Sequence, residues 1–408
     1  MFSVMRNSWA LLLGMMLLML GNGIQGTLLG IRVKIVGFST LEMSYVMAAY
    51  SLGFLLGSRL APRMIQHVGH VRVFSALGSL ISAVMILFPV APDWIAWAGM
   101  RMILGYCFAG VYISAESWLN ASSTNENRGQ ALSAYMIVNM IGVVAAQFLM
   151  NLRDPGGFDL FIFSSILVSL AFTPILLSAA RAPSFEQIQP LPIRQLFRTS
   201  PLGCVGLFLL GALFSTLFGM ASVWGSEVGL SVQNISIFIA SIYVGGLVLQ
   251  YPVGWASDRW DRRAMILWLS VAGAVATTGG LILTWNMVVL SVLGFLAGGI
   301  ANPLYSLLVA YVNDYLAEAE MAGASAGLLF IYGLGSIGGP MVTGWLMGHV
   351  GPSGFFLFIM VMFMAIAAYA AWRMTRGRRR LFRRRLRTLA PGASSVAVEA
   401  SLSRDSAN

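Results

Sequence analysis

The chain has 408 residues, of which 58% are apolar and only 10% are charged, and its mean hydropathy is +0.80. Soluble domains carry about 25% charged residues, so a water-exposed globule of this composition would present very large apolar patches. The composition therefore excludes a soluble protein and indicates a chain embedded in lipid. An apolar helix of about 20 residues crosses a bilayer, which leaves room for about twelve spans and excludes a single-pass receptor with a folded ectodomain.

Cysteine, histidine and charge exclude further classes. Cys107 and Cys204 lie in apolar stretches and the three histidines lie in connecting segments, which excludes a disulfide framework, a CxxC redox motif and a haem-carrying electron-transfer protein. We therefore expect neither a cofactor nor a metal. The net charge of +10 comes largely from nine arginines between Arg373 and Arg387, directly after the last apolar run. Beside a membrane, such a cluster favours an orientation signal or contact with anionic lipids over nucleic-acid binding.

Eleven runs without a charged residue predict the membrane-spanning helices in chain order. They extend over residues 7–31, 43–58, 73–92, 102–115, 129–152, 160–180, 199–226, 228–257, 264–313, 321–348 and 350–372. The run from Ala264 to Asn313 has 50 residues and would be about 75 Å long as one helix, against a hydrocarbon core of about 30 Å. We expect it to fold back at Trp285-Asn286. The predicted fold class is an all-α integral membrane protein with twelve transmembrane helices, called spans 1 to 12 below.

The basic residues predict the orientation of the chain. With the amino terminus in the cytoplasm, 21 of the 25 basic residues lie on the cytoplasmic side and Arg101 lies within a span. Only Arg32, Lys34 and Arg153 then lie outside. Because Lys and Arg accumulate in cytoplasmic loops, this bias predicts that both termini are cytoplasmic.

Composition also divides the chain into domains. The segment 181–201 holds four prolines and several charges, which is typical of a linker. The predicted domains are a six-helix bundle at 1–180, a cytoplasmic linker at 181–201, a second six-helix bundle at 202–373 and a basic cytoplasmic tail at 374–408. The tail is first rich in Arg and then in Ser and Ala, which predicts disorder in water.

The two halves carry traces of an internal repeat. Residues that match at an offset of 193 are Tyr112 with Tyr305, Trp118 with Tyr311 and Asn120 with Asn313, and at 194 to 196 Gly129 matches Gly323 and Gly142 matches Gly338. An offset near half the chain indicates duplication, with coincidence among small residues as the alternative. Parallel six-helix repeats usually place a substrate site at the midplane between the halves, and rocking of one half on the other gives alternating access.

The segment after span 8 carries the most specific motif. It reads Gly254-Trp-Ala-Ser-Asp258-Arg259-Trp-Asp261-Arg262-Arg263. This closely resembles the G-x-x-x-D-R-x-G-R-R signature of the major facilitator superfamily, a group built from such repeats. The segment after span 2 retains only Gly69 and Arg72 of the signature and lacks the acid, so it is a degraded copy.

Spans 4 and 5 extend the resemblance. Arg101-x3-Gly105 resembles a second motif of the superfamily, and the stretch from Arg101 to Gln147 resembles bacterial transporters of the YcaD type. The residues that carry this second likeness are Glu116-Ser-Trp118, Asn127-Arg128-Gly129 and Ala134-Tyr135-Met136. In layout the resemblance covers all twelve spans, and it implies a fold of two pseudo-symmetric six-helix bundles.

The motif after span 8 predicts a cytoplasmic gate. Asp258 ends span 8 beside several arginines, where a carboxylate could cap the positive end of another helix and bind an arginine. By symmetry we expect its partner to be Arg128 at the start of span 5, which would form a latch that favours the outward-open state. The alternative is that Asp258 and its arginines only set the topology. The predicted gating residues are Gly254, Asp258, Arg259, Arg262, Arg263 and Arg128. A weaker expectation pairs Asp314, Glu318 and Glu320 with Arg63 and Arg72.

Two ionisable residues of span 4 are candidates for function. Arg101 lies about 10 Å into the bilayer, where a charge is expensive and should face a cavity or a partner. The resemblance associates this arginine with proton transfer or with holding an anionic group. Glu116 is fifteen residues later, about 22 Å along the helix, and is the best candidate for a titrating carboxylate. The structural alternatives are an arginine bonded to helix ends and a carboxylate tied to Arg128 or a nearby helix end.

The spans that line the cavity in such folds carry neutral hydrogen-bonding groups and aromatic faces. These residues are Asn22, Gln25, Tyr112, Tyr135, Asn139, Gln147, Trp224, Tyr243, Gln250, Asn302, Tyr305 and Tyr332. Such a set suits a small polar or amphipathic solute, although each residue alone is more often an interhelical hydrogen bond or a packing contact. The predicted solute-binding residues are Gln25, Arg101, Tyr135, Asn139, Asn302, Tyr305 and Tyr332, and the predicted proton-coupling residues are Glu116 and Arg101.

These observations favour a secondary active transporter of small organic solutes in the cell (inner or plasma) membrane, acting as a monomer. The chain lacks the nucleotide-binding GxxxxGK[ST] motif, so the energy comes from a gradient or from the solute. Proton coupling and facilitated diffusion both remain open, because Glu116 is present while span 1 offers no acid. An intramembrane enzyme lacks its motifs in the spans, so we predict no catalytic residues. A membrane sensor or scaffold of the same fold is the alternative function.

Overall fold

The computed structural model describes residues 2–121, 128–177, 191–282 and 286–376, and these ranges are built from helices and their connections. The helices are α1 Phe2–Val36, α2 Thr40–Val68, α3 His70–Leu87, α4 Trp94–Ala121, α5 Arg128–Leu149, α6 Asp159–Leu177, α7 Ile193–Thr199, α8 Pro201–Gly219, α9 Ala221–Glu227, α10 Val232–Ser257, α11 Arg262–Ile282, α12 Met287–Asn313, α13 Glu318–Val350 and α14 Gly354–Arg376. The predicted all-α class is confirmed.

Twelve of the helices in the described ranges are long, and α7 and α9 have seven residues each. Eleven of the long helices are apolar and long enough to cross a membrane. The twelfth is α2, whose 29 residues include Glu42, Arg59 and Arg63 and are therefore less apolar as a whole. The 50-residue apolar run folds back as predicted, since α11 ends at Ile282 and α12 begins at Met287.

Local sequence explains where several helices begin. Ser39 and Glu42 form a reciprocal capping box at the start of α2, in which each side chain accepts from the other residue's backbone N–H. Ser231 caps α10, and the Asn286 side chain accepts a 2.8 Å hydrogen bond from the backbone N–H of Val288 at the start of α12. These caps satisfy donors that a helix end would otherwise leave unpaired, so the connections between helices can be short.

The described helices form two compact units, α1 to α6 and α7 to α14. In the first unit, α1 packs on α5 and α6, α2 packs on α4, and α3 packs on α4 and α6. In the second, α8 packs on α13 and α14, α10 packs on α12, and α11 packs on α12 and α14. The same scheme therefore occurs twice, which confirms the predicted pair of pseudo-symmetric six-helix sets.

A glycine-lined crossing repeats in both units and shows the duplication at atomic detail. In the first unit a Cβ at Gly53 of α2 would overlap the Met102 carbonyl of α4, and a Cβ at Gly105 would overlap the Tyr50 carbonyl. In the second unit the corresponding overlaps are Gly245 on Phe295 and Gly298 on Ile242. Each of these positions is 192 or 193 residues from its counterpart. Glycine is needed here because the two helix backbones touch.

The last part of the predicted linker belongs to the second unit. The backbone N–H of Leu191 donates a 2.9 Å hydrogen bond to the carbonyl of Gly323 in α13. The Leu196 side chain of α7 is buried, and it packs where a Cβ on Gly327 would otherwise lie. Residues 181–190 of the linker and 377–408 of the tail lie outside the described ranges, so the predicted tail disorder stays a prediction.

Candidate functional site

Arg101 of α4 lies at the centre of a buried polar cluster in the first unit. The residue is 6% exposed. One terminal nitrogen, Nη1, donates a 2.9 Å hydrogen bond to Oε1 of Gln25 in α1, and Nη2 donates to the Met47 sulfur of α2 at 3.3 Å. The guanidinium carbon lies 4.6 Å from the centre of the Tyr50 ring. Three helices therefore surround this cation, so it is not bonded to helix ends as the structural alternative expected.

The close α2–α4 crossing positions this cluster. Gly105 is one turn after Arg101, and it lets the α2 backbone approach α4 so that Met47 and Tyr50 reach the guanidinium. Sequence reasoning found Arg101 and Gln25 but missed Met47 and Tyr50. The available signal was their spacing, since residues three apart on a helix lie on one face and both lie inside an apolar span.

A second buried group in the first unit brings together Glu116 of α4 and Tyr135 of α5. The two residues are 4% and 3% exposed, and the Tyr135 hydroxyl interacts electrostatically with the Glu116 carboxylate and with Tyr112. Asn139 lies one turn after Tyr135. Its side chain interacts with the buried Tyr135 hydroxyl, although the two groups lie outside normal hydrogen-bond geometry. The structure therefore places three predicted residues next to one another.

The remaining predicted residues of the first unit have local partners. Asn22 lies one turn before Gln25 and interacts with the Tyr50 hydroxyl. Gln147 of α5 accepts a 3.0 Å hydrogen bond from the Thr27 hydroxyl of α1. Both interactions join helices inside the unit, which is the ordinary role of such groups in a membrane protein.

In the second unit, Tyr305 of α12 and Tyr332 of α13 meet edge to face with their ring centres 5.3 Å apart. Further ring contacts extend this pair across α8 to α10, through Phe214 and Phe218 to Tyr243, with centre distances of 6.1, 4.9 and 4.7 Å. The five rings form a continuous row. Trp224, in contrast, is 1% exposed and packs among Phe238, Phe355 and Phe356.

Asn302 belongs to a different cluster from the aromatic row. Its amide nitrogen donates to the Gly246 carbonyl at 3.4 Å and to Oε1 of Gln250 at 3.5 Å, both long distances. Gln250 in turn donates to the Ser306 hydroxyl at 3.0 Å. These three polar side chains are buried where α10 packs on α12.

The motif after α10 forms a charge cluster in the second unit, where α10 and α12 end. Arg262, only 7% exposed in its side chain, forms an ion pair with Asp314 and reaches Oδ1 of Asp258 at 3.9 Å. Asp258 and Asp314 are the C-caps of α10 and α12, so Arg262 joins two helix ends. The weaker expectation placed Asp314 opposite Arg63 and Arg72, and the structure pairs it with Arg262. The i,i+4 spacing of Asp258 and Arg262 is a sequence signal for the contact between those two residues, whereas Asp314 is 52 residues from Arg262 in the chain.

The other residues of the motif lie near the same helix ends. Arg263 donates a hydrogen bond to the Tyr315 hydroxyl and lies over the Tyr311 ring, while Arg259 stacks at 4.0 Å on the Trp255 ring. Gly254 is buried near the end of α10. The side chains of Arg128 and Glu318 lie outside the described part of the chain. The latch between Asp258 and Arg128 therefore remains a prediction.

Known proteins match almost the whole chain. The sequence model of the Major Facilitator Superfamily matches residues 11–242 and 203–396. An uncharacterised MFS-type transporter of Yersinia pestis is 27% identical over 356 residues, which covers 86% of this chain and 91% of the relative. The uncharacterised MFS-type transporter YcaD of Escherichia fergusonii is 25% identical over 353 residues, with the same two shares.

Solved structures share the fold. A variant of the nucleoside transporter NupG matches with a TM-score of 0.78 at 13% identity, over 90% of this chain and 99% of that chain. A bacterial homologue of the human lysosomal transporter Spinster, inward-facing and unoccupied, matches with a TM-score of 0.70 at 14% identity, over 98% of both chains. The family match, the relatives and the repeated six-helix scheme agree with the likeness of the motifs. The chain belongs to the Major Facilitator Superfamily of multi-pass membrane transporters.

Proposed function

We propose that the protein is a secondary active transporter that moves a small organic solute by rocker-switch alternating access. The observation that carries the proposal is that α4, a membrane-crossing helix, holds both a buried cation and a buried carboxylate, Arg101 and Glu116. Buried charges in a membrane are expensive and are rare outside transport pathways. The bacterial relatives support placement in the inner membrane.

The solute-binding residues are proposed separately for each unit. In the first unit they are Gln25, Arg101, Tyr135 and Asn139. The Nε of Arg101 and the Nε2 of Gln25 are buried and have no hydrogen-bond partner in the described ranges. In the second unit they are Asn302, Tyr305 and Tyr332, of which the two tyrosines provide aromatic faces. Amide, hydroxyl and aromatic groups of this kind fix the orientation of a small solute while the apolar lining excludes water.

Glu116 is the proposed coupling group. Its carboxylate is buried beside the Tyr135 hydroxyl, so uptake of a proton would remove a buried charge and change the interactions of a neighbouring solute-binding residue. Coupling of this kind requires that solute and proton binding influence one another, which is a thermodynamic linkage. Facilitated diffusion is the outcome expected if Glu116 has only a structural role.

The gate is proposed at the cluster around Asp258. Arg262 holds Asp258 and Asp314 together inside the second unit, so the carboxylate of Asp258 is presented from a fixed helix end. A latch from Asp258 to Arg128 would stabilise the outward-open state. If the latch exists, Asp258→Asn and Arg128→Gln have coupled effects on cross-linking of the cytoplasmic mouth, whereas simple additivity would refute it.

The experiment that tests the proposed function is solute flux in vesicles. Purified protein is first screened by thermal shift against metabolites and drugs at pH 6 and pH 8, because a ligand that binds only the folded state raises its stability. Solutes that stabilise the protein are then offered to reconstituted vesicles with an imposed pH gradient. We expect gradient-driven accumulation that Glu116→Gln abolishes and that Glu42→Gln, in the exposed capping box of α2, retains. Binding without flux for every such solute would favour the sensor or scaffold instead.

A further inference from the structure

We propose that the short helix α7 lies in the membrane–water interface and binds the anionic headgroups of phospholipids through Arg194 and Arg198. The partner is a lipid of the surrounding bilayer, so this inference stands apart from the solute and from the transport function. It also differs from the lipid contact expected of the basic tail, which lies outside the described residues. It depends on the depth of α7, on the faces of this helix and on the charges around its arginines.

The contacts of α7 with the membrane-crossing helices set its depth. α7 ends just before Pro201, where the membrane-crossing segment of α8 begins. The backbone N–H of Leu191 bonds to the carbonyl of Gly323, which is the first residue of the membrane-crossing segment of α13. Leu196 packs on Gly327, one turn or about 6 Å further along α13. α7 therefore lies level with the start of two membrane-crossing segments, where lipid headgroups meet acyl chains.

Contacts with α13 also hold α7 in one rotational position. The Leu196 side chain is completely buried where it packs on Gly327. About 100° away around the helix, Nε2 of Gln195 donates a long hydrogen bond of 3.4 Å to Oε1 of Glu320, in the first turn of α13. The surface of α7 opposite these two contacts therefore faces away from the protein.

That outer surface of α7 is amphipathic. Ile193 and Phe197 are 38% and 40% exposed and lie four residues apart on one face. Arg194 and Arg198 form an exposed pair with the same spacing, about 100° further around the helix. The exposed apolar face thus lies between the buried Leu196 and the basic pair. A helix of this kind in the interface turns its apolar face toward the acyl chains and its basic face toward the headgroups.

The two arginines of α7 have no counter-charge in the described part of the chain. The ion pairs found there involve Arg153 and Arg262, and neither Arg194 nor Arg198 makes a hydrogen bond with a described residue. Guanidinium groups bind phosphate oxygens through paired hydrogen bonds, and basic residues near a bilayer surface attract anionic lipids. Depth and charge together therefore select an anionic phospholipid as the partner of α7.

The first test measures the depth of α7 in nanodiscs of phosphatidylcholine and phosphatidylglycerol. A bimane label is placed on Phe197→Cys in the Cys107→Ala/Cys204→Ala background, and quenching by aqueous iodide is compared with quenching by nitroxide on the acyl chains. We expect strong quenching by the lipid nitroxide and weak quenching by iodide. The matched control is Gln195→Cys, about 160° around the helix, where iodide should quench more strongly. Equal or stronger iodide quenching at position 197 would overturn the proposal.

The second test measures the lipid charge that α7 selects. The label at position 197 reports on the lipids beside it, so spin-labelled phosphatidylglycerol and phosphatidylcholine are compared at equal mole fraction. We expect phosphatidylglycerol to be enriched at the label by up to about 30-fold, about 5-fold for each arginine, and the enrichment to fall at high salt. Arg194→Gln/Arg198→Gln should remove the enrichment. Equal quenching by the two lipids in the protein with both arginines would overturn the proposal.

A second double variant separates the α7 site from the net charge of the protein. Arg63→Gln/Arg72→Gln removes two exposed arginines from the first unit and changes the net charge equally. Enrichment at position 197 should persist in this variant, and size-exclusion chromatography checks that both double variants are folded. Equal loss of enrichment in the two variants would show a response to net charge and refute the α7 site. Enrichment that survives Arg194→Gln/Arg198→Gln would refute it as well, because other residues would then hold the lipid.

Discussion

At the scale of single residues, the charges of this protein fall into two classes that burial separates. Arg153 and Asp159 form an ion pair in which both side chains are well exposed, with 70% and 66% of their surface accessible. Arg262 and Asp314 form a pair whose side chains are 7% and 15% exposed. Water screens the first pair and screens the second much less, so only the second should matter for stability.

Asp314→Asn should therefore destabilise the protein by about 3 kcal/mol, because it removes the carboxylate that lies nearer to the buried guanidinium of Arg262, while Asp258 lies at 3.9 Å. The matched control is Asp159→Asn, which should change the free energy of unfolding by less than about 1 kcal/mol. Denaturant unfolding followed by tryptophan fluorescence measures both. Equal effects of the two substitutions would contradict the importance of the Arg262 cluster.

Tyr135→Phe separates binding from folding at the second buried group. The Tyr135 hydroxyl interacts with the Asn139 side chain only outside normal hydrogen-bond geometry, so its removal should change the Tm little. If the hydroxyl binds solute, transport should fall about 2- to 10-fold, which is the value of one hydrogen bond. Tyr106→Phe, which removes a contact with the Met64 sulfur, is the control and should retain transport. Unchanged uptake by the Tyr135 variant would remove this residue from the site.

At the scale of elements, one glycine crossing stabilises the packing inside the first unit and an equivalent crossing does the same inside the second unit. The α2–α4 and α10–α12 pairs touch backbone to backbone, and each places polar groups beside the contact: Arg101 with Gln25 in one, and Asn302 with Gln250 in the other. Close approach of helices in lipid depends on van der Waals packing, which a side chain at the crossing would disrupt.

Gly53→Leu or Gly245→Leu should accordingly abolish stable expression of the protein, since four extra carbon atoms would have to displace a helix backbone. Gly99→Leu is the matched control in α4, because nothing lies within 4 Å of the added Cβ. Monodisperse elution in size-exclusion chromatography is the measurement. A monodisperse Gly53→Leu variant would show that the crossing is looser than the structure indicates.

Sequence predicted the elements better than the contacts. The long helices and the turn before Met287 follow from apolar length and from Asn286, which are local properties. The short helix α9 and the docking of Leu191 on α13 were not predicted, because neither has a periodic or apolar signal of its own. The pair Arg101 and Gln25 is 76 residues apart, and Tyr50 joins it from a third helix. Only tertiary packing decides such contacts. Residue types alone therefore predicted some of the site residues but not how they contact one another.

At the scale of the whole molecule, both units share one scheme of helix packing but differ in the side chains that they bury. The first unit has a buried cation and a buried carboxylate on one membrane-crossing helix, Arg101 and Glu116 of α4, and the second contains a row of five aromatic rings around Tyr332. Duplication explains the common backbone contacts, and later divergence of the side chains explains why the position 193 residues after Arg101 holds Gly294 instead of a cation.

The orientation of the chain is the prediction that belongs to this scale. A single cysteine placed at the Arg153 connection, on the Cys107→Ala/Cys204→Ala background, should react with a membrane-impermeant maleimide in intact cells. A cysteine at the Asp261 connection should react only after the cells are opened, because the positive residues beside it are predicted to be cytoplasmic. The reverse labelling pattern would invert the proposed topology and place the Asp258 cluster outside.

Solute flux in vesicles under a pH gradient tests the central claim most directly. The claim predicts that a solute that stabilises the protein accumulates above its external concentration, that a protonophore or Glu116→Gln removes the accumulation, and that Glu42→Gln retains it. Accumulation that Glu116→Gln leaves unchanged would contradict the coupling role of Glu116. If no stabilising solute crosses the membrane in either direction, the account of the protein as a secondary active transporter is wrong.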